Sequence, residues 1–506
     1  MSARSTCPLL RRFFLLAALD PQQPALLGSQ GDVLATRGQL ASRIAGLTET
    51  LAPFLPAGRP VALSLPNGPD LVTAFGAIRA LGLPAALVDA GAPAAELAQA
   101  ADAVGATAIL AGIGRLGSAR PVWDSAVAAL GLRDRLEAVG VPTGTALLKL
   151  TSGSTGTPRA IAVGARELAT DSVNIMHTMD VRPDDATLAA IPLTHSYGIG
   201  SCLVPLFLTG LPLAFPTSSL PPAIAETLTR GRVAHFPAVP AHIRALASLD
   251  DHLPPLPDLR VCLTAGAPLA PADAQAFETL TGHRVNVFYG SSECGAITYE
   301  TGPPSLRGSG QVGRAMRGVR VEVVDEAFNP LPPGLEGRVL VRSGAVARGT
   351  VPAHDRGGLI GGGRFLAGDS GVFDEAGCLT LTGRVAELLN VAGKKVHPDE
   401  VRRVLEAIPG IRAAVVTGLP DVHRGQLVAA VVEVDRAAGL TVPAILAACR
   451  RVLAPHKLPR RLVLVDEMPT SERGKVRKDA VLALLSRPND PGSGVQGPGS
   501  GSVPPL

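Results

Sequence analysis

The apolar positions of the chain change their spacing repeatedly between residues 30 and 112. Segments with helical spacing alternate there with short apolar runs, in the order Arg37–Leu51, Val61–Leu65, Asp70–Leu81, Ala85–Val88, Ala94–Val104 and Ala108–Leu110. Because helices join consecutive strands, this order predicts a layered α/β domain on a largely parallel sheet. The same alternation resumes between Ala186 and Val287, which predicts a large domain.

The pattern changes after Gly318. Val319–Val324 and Arg338–Val341 are short apolar runs separated by Pro and Gly turns, which predicts antiparallel strands in a small β-barrel-like part. Gly357–Gly363 contains five glycines in seven residues. A run of this kind fits a mobile surface loop or a phosphate-binding loop, and we interpret it as a surface loop.

A smaller unit follows Gly383-Arg384. Its predicted helices and strands are Pro398–Ala407, Ala413–Val416, Val428–Val434 and Ala444–Leu453. The last residues are rich in Gly and Pro and have no apolar period, which is typical of disorder. The sequence therefore predicts a large layered N-terminal domain over 1–384, a small α+β domain over 385–486, and a disordered tail over 487–506.

The composition excludes some classes of protein. Of the 506 residues, 46% are hydrophobic and 18% are charged, which is typical of globular chains and excludes a mainly disordered one. Lys and Arg number 47 against 43 for Asp and Glu, which leaves a formal net charge of +4. So small an excess in so long a chain argues against nucleic acid or anionic lipid as a partner.

The cysteines and the first residues bear on the compartment. The six cysteines are far apart in sequence, without a CxxC pair or the spacing of a zinc site, so we expect reduced thiols in a cytoplasmic protein. Arg11-Arg12 precede the apolar run Phe13–Leu19, but the run is short and Asp20-Pro21 follows it, which favours an ordinary helix over an export signal. No apolar stretch approaches the ~20 residues of a membrane-spanning helix, so we expect no membrane span.

The segment with the clearest chemistry is Leu147–Arg159, in which an apolar strand runs into hydroxyl and glycine residues and ends on a cation. Glycines allow close approach of the backbone, and N–H groups, hydroxyls and a guanidinium can surround phosphate oxygens. A Ser/Gly turn in a hairpin is the other interpretation. The segment is not a Walker loop, because Pro158 interrupts it and Ala160–Val163 predicts a returning strand.

This loop resembles the phosphate loop of the adenylate-forming enzymes, a superfamily of acyl-CoA synthetases, aryl-CoA ligases, adenylation domains and beetle luciferases. Residues 151–160 match its T/S-S-G-S/T-T-G-x-P-K-G pattern except at the last two positions, where Arg159 and Ala160 stand. Further segments similar to those of the superfamily follow in its order, and they are Pro192–Gly198, Thr264–Leu269, Val287–Glu293, Leu366–Gly371 and Met468–Val476. The resemblance covers residues 20–485.

The resemblance implies that ATP and Mg²⁺ are cofactors. The residues that would surround the phosphates are Thr151, Ser152, Gly153, Ser154, Thr155 and Gly156. Arg159 would hold the departing pyrophosphate, since a cation stabilises the charge that develops there. Glu293 would offer a hard oxygen ligand to the Mg²⁺ that bridges the phosphates.

The resemblance also implies the contacts of the nucleoside. The residues that would lie along or beside the adenine are Gly266, Ala267, Pro268, Tyr289, Gly290 and Ser292, with the tyrosine ring stacked on the base. Asp369 would accept hydrogen bonds from the ribose hydroxyls. Arg384 would be a second contact to the ribose or the phosphates.

In the superfamily, a lysine of the small domain bridges the acid and the α-phosphate, and Lys475 matches it, with Arg473 where a small or hydroxyl residue is usual. Glu387 occupies the hinge position. The resemblance implies a mobile C-terminal domain that delivers Lys475 for adenylation, then swings and presents the loop near Gly393 for attack by a thiol.

The carboxylic acid would enter a pocket of mostly small or apolar residues. The expected lining is His195, Gly198, Ile199, Leu203, His235, Gly290 and Cys294, with His195 shielding the reacting carboxylate. Between Ala186 and Ala225 there is no Asp or Glu to pair an ammonium group, and an unpaired buried ammonium would be costly. The acid is therefore expected to be an acyl or aryl acid, and an amino acid is disfavoured.

The function implied is ATP-dependent conversion of a carboxylic acid to acyl-AMP, with release of pyrophosphate, and transfer to a thiol, coenzyme A first of all. Three alternatives stay open at this point. The enzyme could load a separate acyl carrier protein, since no carrier domain is present in the sequence. It could be a luciferase-like oxygenase, which no residue favours. It could be a non-catalytic homologue that binds acyl-AMP, since Arg159, Ala160 and Arg473 depart from the pattern while Glu293 and Lys475 are present.

Overall fold

The computed structural model describes residues 7–113, 120–121, 128–132, 139–151, 159–249, 253, 255–306, 309–353, 356–384, 389–391, 394–421, 425–470 and 476–486. These residues belong to two compact units. The first comprises Met1–Pro333, Val339–Ala367 and Phe373–Thr380, and the second comprises Gly334–Arg338, Gly368–Val372 and Leu381–Leu506.

The α-helices are α1 Pro8–Leu19, α2 Arg37–Leu51, α3 Pro69–Ala80, α4 Ala94–Ala103, α5 Ala165–Met179, α6 Ser196–Gly198, α7 Val204–Thr209, α8 Pro221–Arg230, α9 Pro240–Ala247, α10 Pro271–Thr281, α11 Pro398–Glu406, α12 Val442–Arg450 and α13 Lys478–Ser486. A π-helical turn, Ile199–Leu203, joins α6 to α7. Short 3₁₀ turns cover Pro304–Leu306, Arg436–Ala438 and Pro455–Lys457.

The first strands are β1 Pro24–Leu27, β2 Val33–Thr36, β3 Val61–Ser64, β4 Ala85–Leu87, β5 Ala108–Gly112, β6 Arg120–Pro121, β7 Ala128–Leu132, β8 Thr145–Thr151, β9 Arg159–Gly164, β10 Ala186–Leu188, β11 Leu213–Ala214, β12 Val233–Ala238, β13 Val261–Thr264 and β14 Val285–Ser291. The later strands are β15 Gly295–Glu300, β16 Gln311–Ala315, β17 Val319–Val324, β18 Gly337–Ser343, β19 Gly349–Val351, β20 Leu359–Gly361, β21 Arg364–Phe373, β22 Leu379–Arg384, β23 Leu389–Val391, β24 Lys394–Val396, β25 Ile411–Asp421, β26 Gly425–Val434 and β27 Arg461–Val465.

Within the described ranges, the strands form three sheets. The largest has 14 strands in the order β17-β18-β21-β22-β16-β15-β14-β13-β12-β10-β11-β1-β2, with β20 beside β21. The second has eight, in the order β19-β9-β8-β4-β3-β5-β7-β6. The third belongs to the second compact unit and has five, β24-β23-β26-β25 with β27 beside β26.

Both large sheets have a parallel centre. In the largest sheet, β10, β12, β13 and β14 pair in parallel, and in the second sheet β5, β3, β4 and β8 do the same. The carboxyl ends of the strands in each group therefore share one edge of their sheet. In α/β folds of this kind, ligands bind outside the carboxyl ends of the strands.

The N-terminal run that resembles an export signal is helix α1, as predicted. Pro8 occupies its first turn, where a missing N–H is tolerated, and Leu9, Leu10, Phe13 and Ala17 form its buried face. The ring of Phe13 meets that of Phe207 at 5.4 Å in an edge-to-face contact. Packing therefore explains the apolar run. None of the described helices combines the length and the hydropathy of a membrane span.

The predicted alternation of helices and strands is confirmed. Helix α2 has the predicted bounds, and a capping box between Thr36 and Gln39 fixes its first turn. The antiparallel strands after Gly318 are also present, but the barrel-like part is wrong in detail. The described strands β16, β22, β21, β18 and β17 extend the largest sheet in an open order that ends at β17.

The second unit is α+β as predicted. Helices α11 and α12 bury their apolar residues with the inner face of the sheet, in a cluster that includes Val401, Leu405, Ile445 and Val432. Helix α13 contributes Val481 and Leu485 to a separate cluster with Val431. The sheet is mixed, because β27 pairs in parallel with β26 while the other described pairs are antiparallel, and helical residues pack against it in two separate clusters.

Candidate active site

Glu293 lies in the tight turn between β14 and β15, and its carboxylate forms an ion pair with Arg159. Arg159 Nη2 lies 2.8 Å from Glu293 Oε1, and the two side chains are 18% and 14% exposed. Arg159 is the first residue of β9, directly after the predicted phosphate loop. The structure thus brings together the predicted pyrophosphate cation and the predicted Mg²⁺ ligand from positions 134 residues apart.

The glycine-rich run, interpreted from the sequence as a surface loop, lies beside this pair, and its middle residues form a short strand at the surface. Leu359–Gly361 is strand β20, paired with β21. Gly357 has a φ of +51°, and a Cβ built on it would lie 2.3 Å from Arg159 Nη1. The left-handed φ favours glycine there, and the absent Cβ leaves space for the end of the Arg159 side chain.

The backbone of the Glu293 turn is held at several points. Ser291 Oγ accepts hydrogen bonds from the N–H groups of Glu293 and Cys294 at 3.2 and 3.3 Å. The carbonyl of Glu293 accepts from Ala347 N–H at 2.7 Å. These bonds satisfy backbone N–H and carbonyl groups of an irregular turn. The backbone that carries the Glu293 carboxylate is therefore held in place.

Ser292 connects the turn to the segment that carries His195. Ser196 Oγ donates to Ser292 Oγ at 2.9 Å, and the rings of Tyr197 and Phe288 stack with centroids 5.2 Å apart. Two of the predicted motifs therefore meet in the folded chain. The hydroxyl that replaces the usual threonine of the superfamily pattern has a protein partner.

His195 lies near a carboxylate that the sequence analysis did not single out. Its side chain is 51% exposed, and its Nε2 lies 3.9 Å from Asp89 Oδ2. Asp89 follows strand β4, where its Oδ1 accepts from Gly91 N–H at 2.7 Å and its carbonyl accepts from Ser64 Oγ at 3.0 Å. An acid directly after a buried parallel strand was the signal that could have identified it.

Asn67 was also missed, and it fixes the segment that leads to His195. Its Nδ2 donates to the carbonyls of Ala189 and Ile191 at 2.9 and 2.8 Å, and its Oδ1 accepts from Leu193 N–H at 2.9 Å. One side chain therefore satisfies three backbone groups of an irregular stretch. Asn67 therefore connects the loop after β3, in the second sheet, to the segment after β10, in the largest sheet.

Asn67→Asp tests this role, because it keeps the acceptor for Leu193 and replaces the amide donor with an oxygen that faces two carbonyls. Leaving those buried carbonyls without a donor is expected to lower the free energy of unfolding by about 2–4 kcal/mol. Urea denaturation measures the change. The matched control is Asn329→Asp, which alters an exposed amide bonded to Asp325 and is expected to cost less than about 1 kcal/mol. Equal effects of the two substitutions would contradict the role of Asn67.

The predicted adenine residues follow two neighbouring strands. Gly266, Ala267 and Pro268 come after β13, are exposed, and begin with a φ of +85° at Gly266. Tyr289 is a partly exposed residue of β14, which pairs in parallel with β13 through Thr264 and Val287. Both segments therefore leave the sheet at the same edge.

Several predicted pocket residues are packed in the core. Gly198, Ile199, Leu203 and Cys294 are buried, and burial raises the pKa of the Cys294 thiol to about 12. His235 is 1% exposed inside strand β12, where its Nδ1 lies 3.1 Å from Thr187 Oγ1. Burial lowers the pKa of His235 to about 3, so the imidazole is neutral at physiological pH.

The second unit contains the two residues expected at the ribose. Asp369 lies in β21 and Arg384 ends β22, and their side chains are 3.5 Å apart. Other predicted residues lie outside the described ranges: Ser152, Gly153, Ser154, Thr155, Gly156, Glu387, Gly393 and Lys475. Thr151 is described only as the last residue of β8.

The side chains near Glu293 suit a metal ion that binds together with the phosphates of a ligand, and not a metal held by the protein alone. Among the residues that the structure describes, no group of three His, Cys, Asp or Glu side chains could hold a metal ion. A single carboxylate beside the phosphate-loop strand fits Mg²⁺, which commonly takes one or two protein carboxylates together with substrate phosphates.

Comparison with known families identifies the class of this protein. The profile of the AMP-binding enzyme family matches residues 16–350, and that of the AMP-binding enzyme C-terminal domain matches residues 400–475. The first match covers more than half of the chain, so the chain belongs to the family of AMP-binding enzymes. The resemblance to adenylate-forming enzymes is thereby confirmed.

A relative of known name and two solved structures are similar to this chain. The oxalate–CoA ligase of Saccharomyces cerevisiae is 29% identical over 346 residues, which are 68% of this chain and 63% of that ligase, so the alignment spans less than two thirds of the relative. ATP-bound MatB from Rhodopseudomonas palustris has a TM-score of 0.79 and 25% identity, over 95% of this chain and 98% of that one. The amide bond synthetase McbA from Marinactinospora thermotolerans has a TM-score of 0.80 and 25% identity, over 94% of this chain and 99% of that one. The predicted fold class is confirmed by these matches.

Proposed function

We propose that this enzyme activates a carboxylic acid with ATP, forming acyl-AMP and pyrophosphate, and then transfers the acyl group to coenzyme A. The observation that carries the proposal is the Arg159–Glu293 ion pair, which joins the strand after the phosphate loop to the turn of the Tyr289–Glu293 motif. Family membership supports the adenylation step, and the name of the yeast relative supports the acceptor.

The chemical difficulty of adenylation is the attack of one anion on another. In the proposed mechanism, Glu293 would hold the Mg²⁺ that neutralises the phosphates of ATP. Arg159 would leave Glu293 for the oxygens of the departing pyrophosphate, where its fixed charge stabilises the transition state. Lys475 would bridge the carboxylate of the acid and the α-phosphate.

The rest of the nucleotide would lie along the residues that the superfamily pattern assigns. Tyr289 would stack on the adenine, and Asp369 would accept the hydrogen bonds of the ribose. We propose that the domains are 1–384 and 385–486, and that the second swings about Glu387 between the two half-reactions. The free thiols of the six cysteines suit a reducing compartment, so we place the enzyme in the cytoplasm.

The acid is proposed to be an acyl or aryl acid. No Asp or Glu lies between Ala186 and Ala225 to pair an ammonium group. The buried Asp171 nearby already interacts with Lys149, so it is not available to a substrate amine. The segment that carries His195 therefore offers no carboxylate to pair the ammonium of an amino acid, whose burial would be costly.

The decisive experiment is ATP–pyrophosphate exchange over a panel of aliphatic, dicarboxylic, aryl and amino acids. We expect exchange with at least one of the first three groups and none with amino acids. The active acid is then incubated with coenzyme A, with a phosphopantetheinylated carrier protein and with an amine, since an amide bond synthetase shares the fold. Thioester formation with coenzyme A supports the proposal. Exchange with amino acids alone, or Mg·ATP binding without any exchange, would overturn it.

A further inference from the structure

A lysine and an aspartate to which no role in the site has been assigned are buried beneath the Glu293 turn. Lys149 lies in β8 and Asp171 in α5, and each is only 5% exposed. Lys149 Nζ donates to the carbonyl of Ser292 at 3.3 Å. Asp171 Oδ1 accepts from Ala296 N–H at 2.8 Å. The two side chains therefore hold the residues on either side of Glu293.

The two groups stabilise each other's charge. Burial lowers the pKa of Lys149, while the negative charge of Asp171 opposes that shift. Burial likewise raises the pKa of Asp171, and Lys149 opposes it. A buried charge is tolerated where it has an opposite charge and hydrogen bonds, and a partner that is left alone is strongly destabilising.

Two glycines next to Asp171 leave space for its carboxylate. A Cβ built on Gly295, which has a φ of +70°, would lie 2.2 Å from Asp171 Oδ1. A Cβ built on Gly200 would lie 2.8 Å from Asp171 Oδ2. The Asp171 carboxylate therefore occupies the space that side chains at these two positions would fill. The end of the Glu293 turn packs against it.

We infer that Lys149 and Asp171 are positioning residues that hold the Glu293 carboxylate where Mg·ATP needs it. Lys149 fixes Ser292, the residue before Glu293, and it lies two positions before Thr151 in the strand that leads to the phosphate loop. Asp171 fixes Ala296 on the far side of the turn. The pair thereby ties the metal-binding turn to the phosphate-loop strand. This inference rests on the proposed function, because it assigns Glu293 to the metal.

The test is Lys149→Met, which removes the ammonium and keeps the length of the side chain. Isothermal titration calorimetry measures the binding of Mg·ATP, and of ATP in EDTA, without any acid present. We expect the Kd of Mg·ATP to rise about tenfold and the Kd of metal-free ATP to stay within twofold. In exchange assays the KM of the acid should also stay within twofold. Equal weakening of both nucleotide forms, or no change in either, would overturn the inference.

The double variant Lys149→Met/Asp171→Asn separates positioning from stability. It removes both charges, so most of the stability lost in the single variant should return in urea denaturation. The raised Kd of Mg·ATP should persist, because Ser292 still lacks its donor. A return of that Kd to the wild-type value would show that the unpaired Asp171 carboxylate, and not the lost hydrogen bond to Ser292, had weakened Mg·ATP binding. This result would overturn the inference.

Arg79→Met is the matched control. Arg79 is also 5% exposed and also donates to a backbone carbonyl, that of Leu83, in a part of the domain without motif residues. It should lower stability and leave both nucleotide constants unchanged. If the wild-type protein binds Mg·ATP but exchanges no pyrophosphate, the proposed function is refuted. The comparison of the Kd values of the wild type and Lys149→Met still decides this inference. A wild-type protein that does not bind Mg·ATP would refute both.

Discussion

Replacing Glu293 with glutamine is expected to lower ATP–pyrophosphate exchange by about 100-fold. Glutamine has the same size and an oxygen at the same position, so the Ser291 hydrogen bonds to the turn are kept. The change removes the negative charge that would hold Mg²⁺ and that now pairs with Arg159 at 2.8 Å. The loss should therefore appear in the adenylation step, with a higher Mg²⁺ requirement.

The control for this substitution is Glu300→Gln in the strand that leaves the same turn. Glu300 is 6% exposed, and its Oε1 accepts from Gly302 N–H, a bond that glutamine can also accept. This variant should exchange pyrophosphate within threefold of the wild-type rate. If Glu293→Gln and Glu300→Gln behave alike, Glu293 has no role as a metal ligand.

The elements of the fold could be predicted because their apolar period is local. Helix α2 follows from its apolar stripe, and strand β17 from a short apolar run between turns. The barrel-like part could not be settled in this way. Whether antiparallel strands close or extend a neighbouring sheet depends on edge pairing, such as that of β16 with β15 through Thr298 and Ala315, which the period of a strand does not encode.

The candidate site likewise contains residues that local sequence patterns could predict and residues that they could not. The Arg159–Glu293 pair could be anticipated, because each residue belongs to a motif with its own local pattern. Asn67 and Lys149 could not, since Asn67 stands in an ordinary Pro/Gly turn and Lys149 in an apolar strand. Their partners lie 122 to 143 residues away along the chain. A buried lysine in a strand that precedes a phosphate loop was the one available signal, because burying an unpaired charge is costly.

The glycine-rich run was predicted only in part, for a related reason. Five glycines in seven residues usually signify a loop without fixed contacts. Here Gly357 has a left-handed φ of +51°, and the Arg159 guanidinium from β9 lies where a Cβ would be. A local pattern cannot distinguish freedom of the backbone from close approach of a distant side chain.

Lys475→Ala is expected to have an effect as large as that of Glu293→Gln, but on one half-reaction only. In the proposed mechanism Lys475 bridges two anions in the adenylation transition state, so its loss should lower pyrophosphate exchange by about 100-fold or more. Thioester formation from supplied acyl-AMP and coenzyme A should fall by less than about fivefold, because the small domain then presents a different surface. Stopped assays of the two half-reactions measure the split.

The control for that split is another lysine of the second unit. Lys457 Nζ lies 2.6 Å from Glu400 Oε1 in a partly exposed ion pair, and pairs of this kind contribute at most about 1 kcal/mol. Lys457→Ala should therefore leave both half-reactions within twofold of the wild-type rates. If Lys475→Ala lowers both half-reactions equally, the swing of the small domain about Glu387 is refuted, because a lysine needed in one conformation alone cannot slow the step that follows its withdrawal.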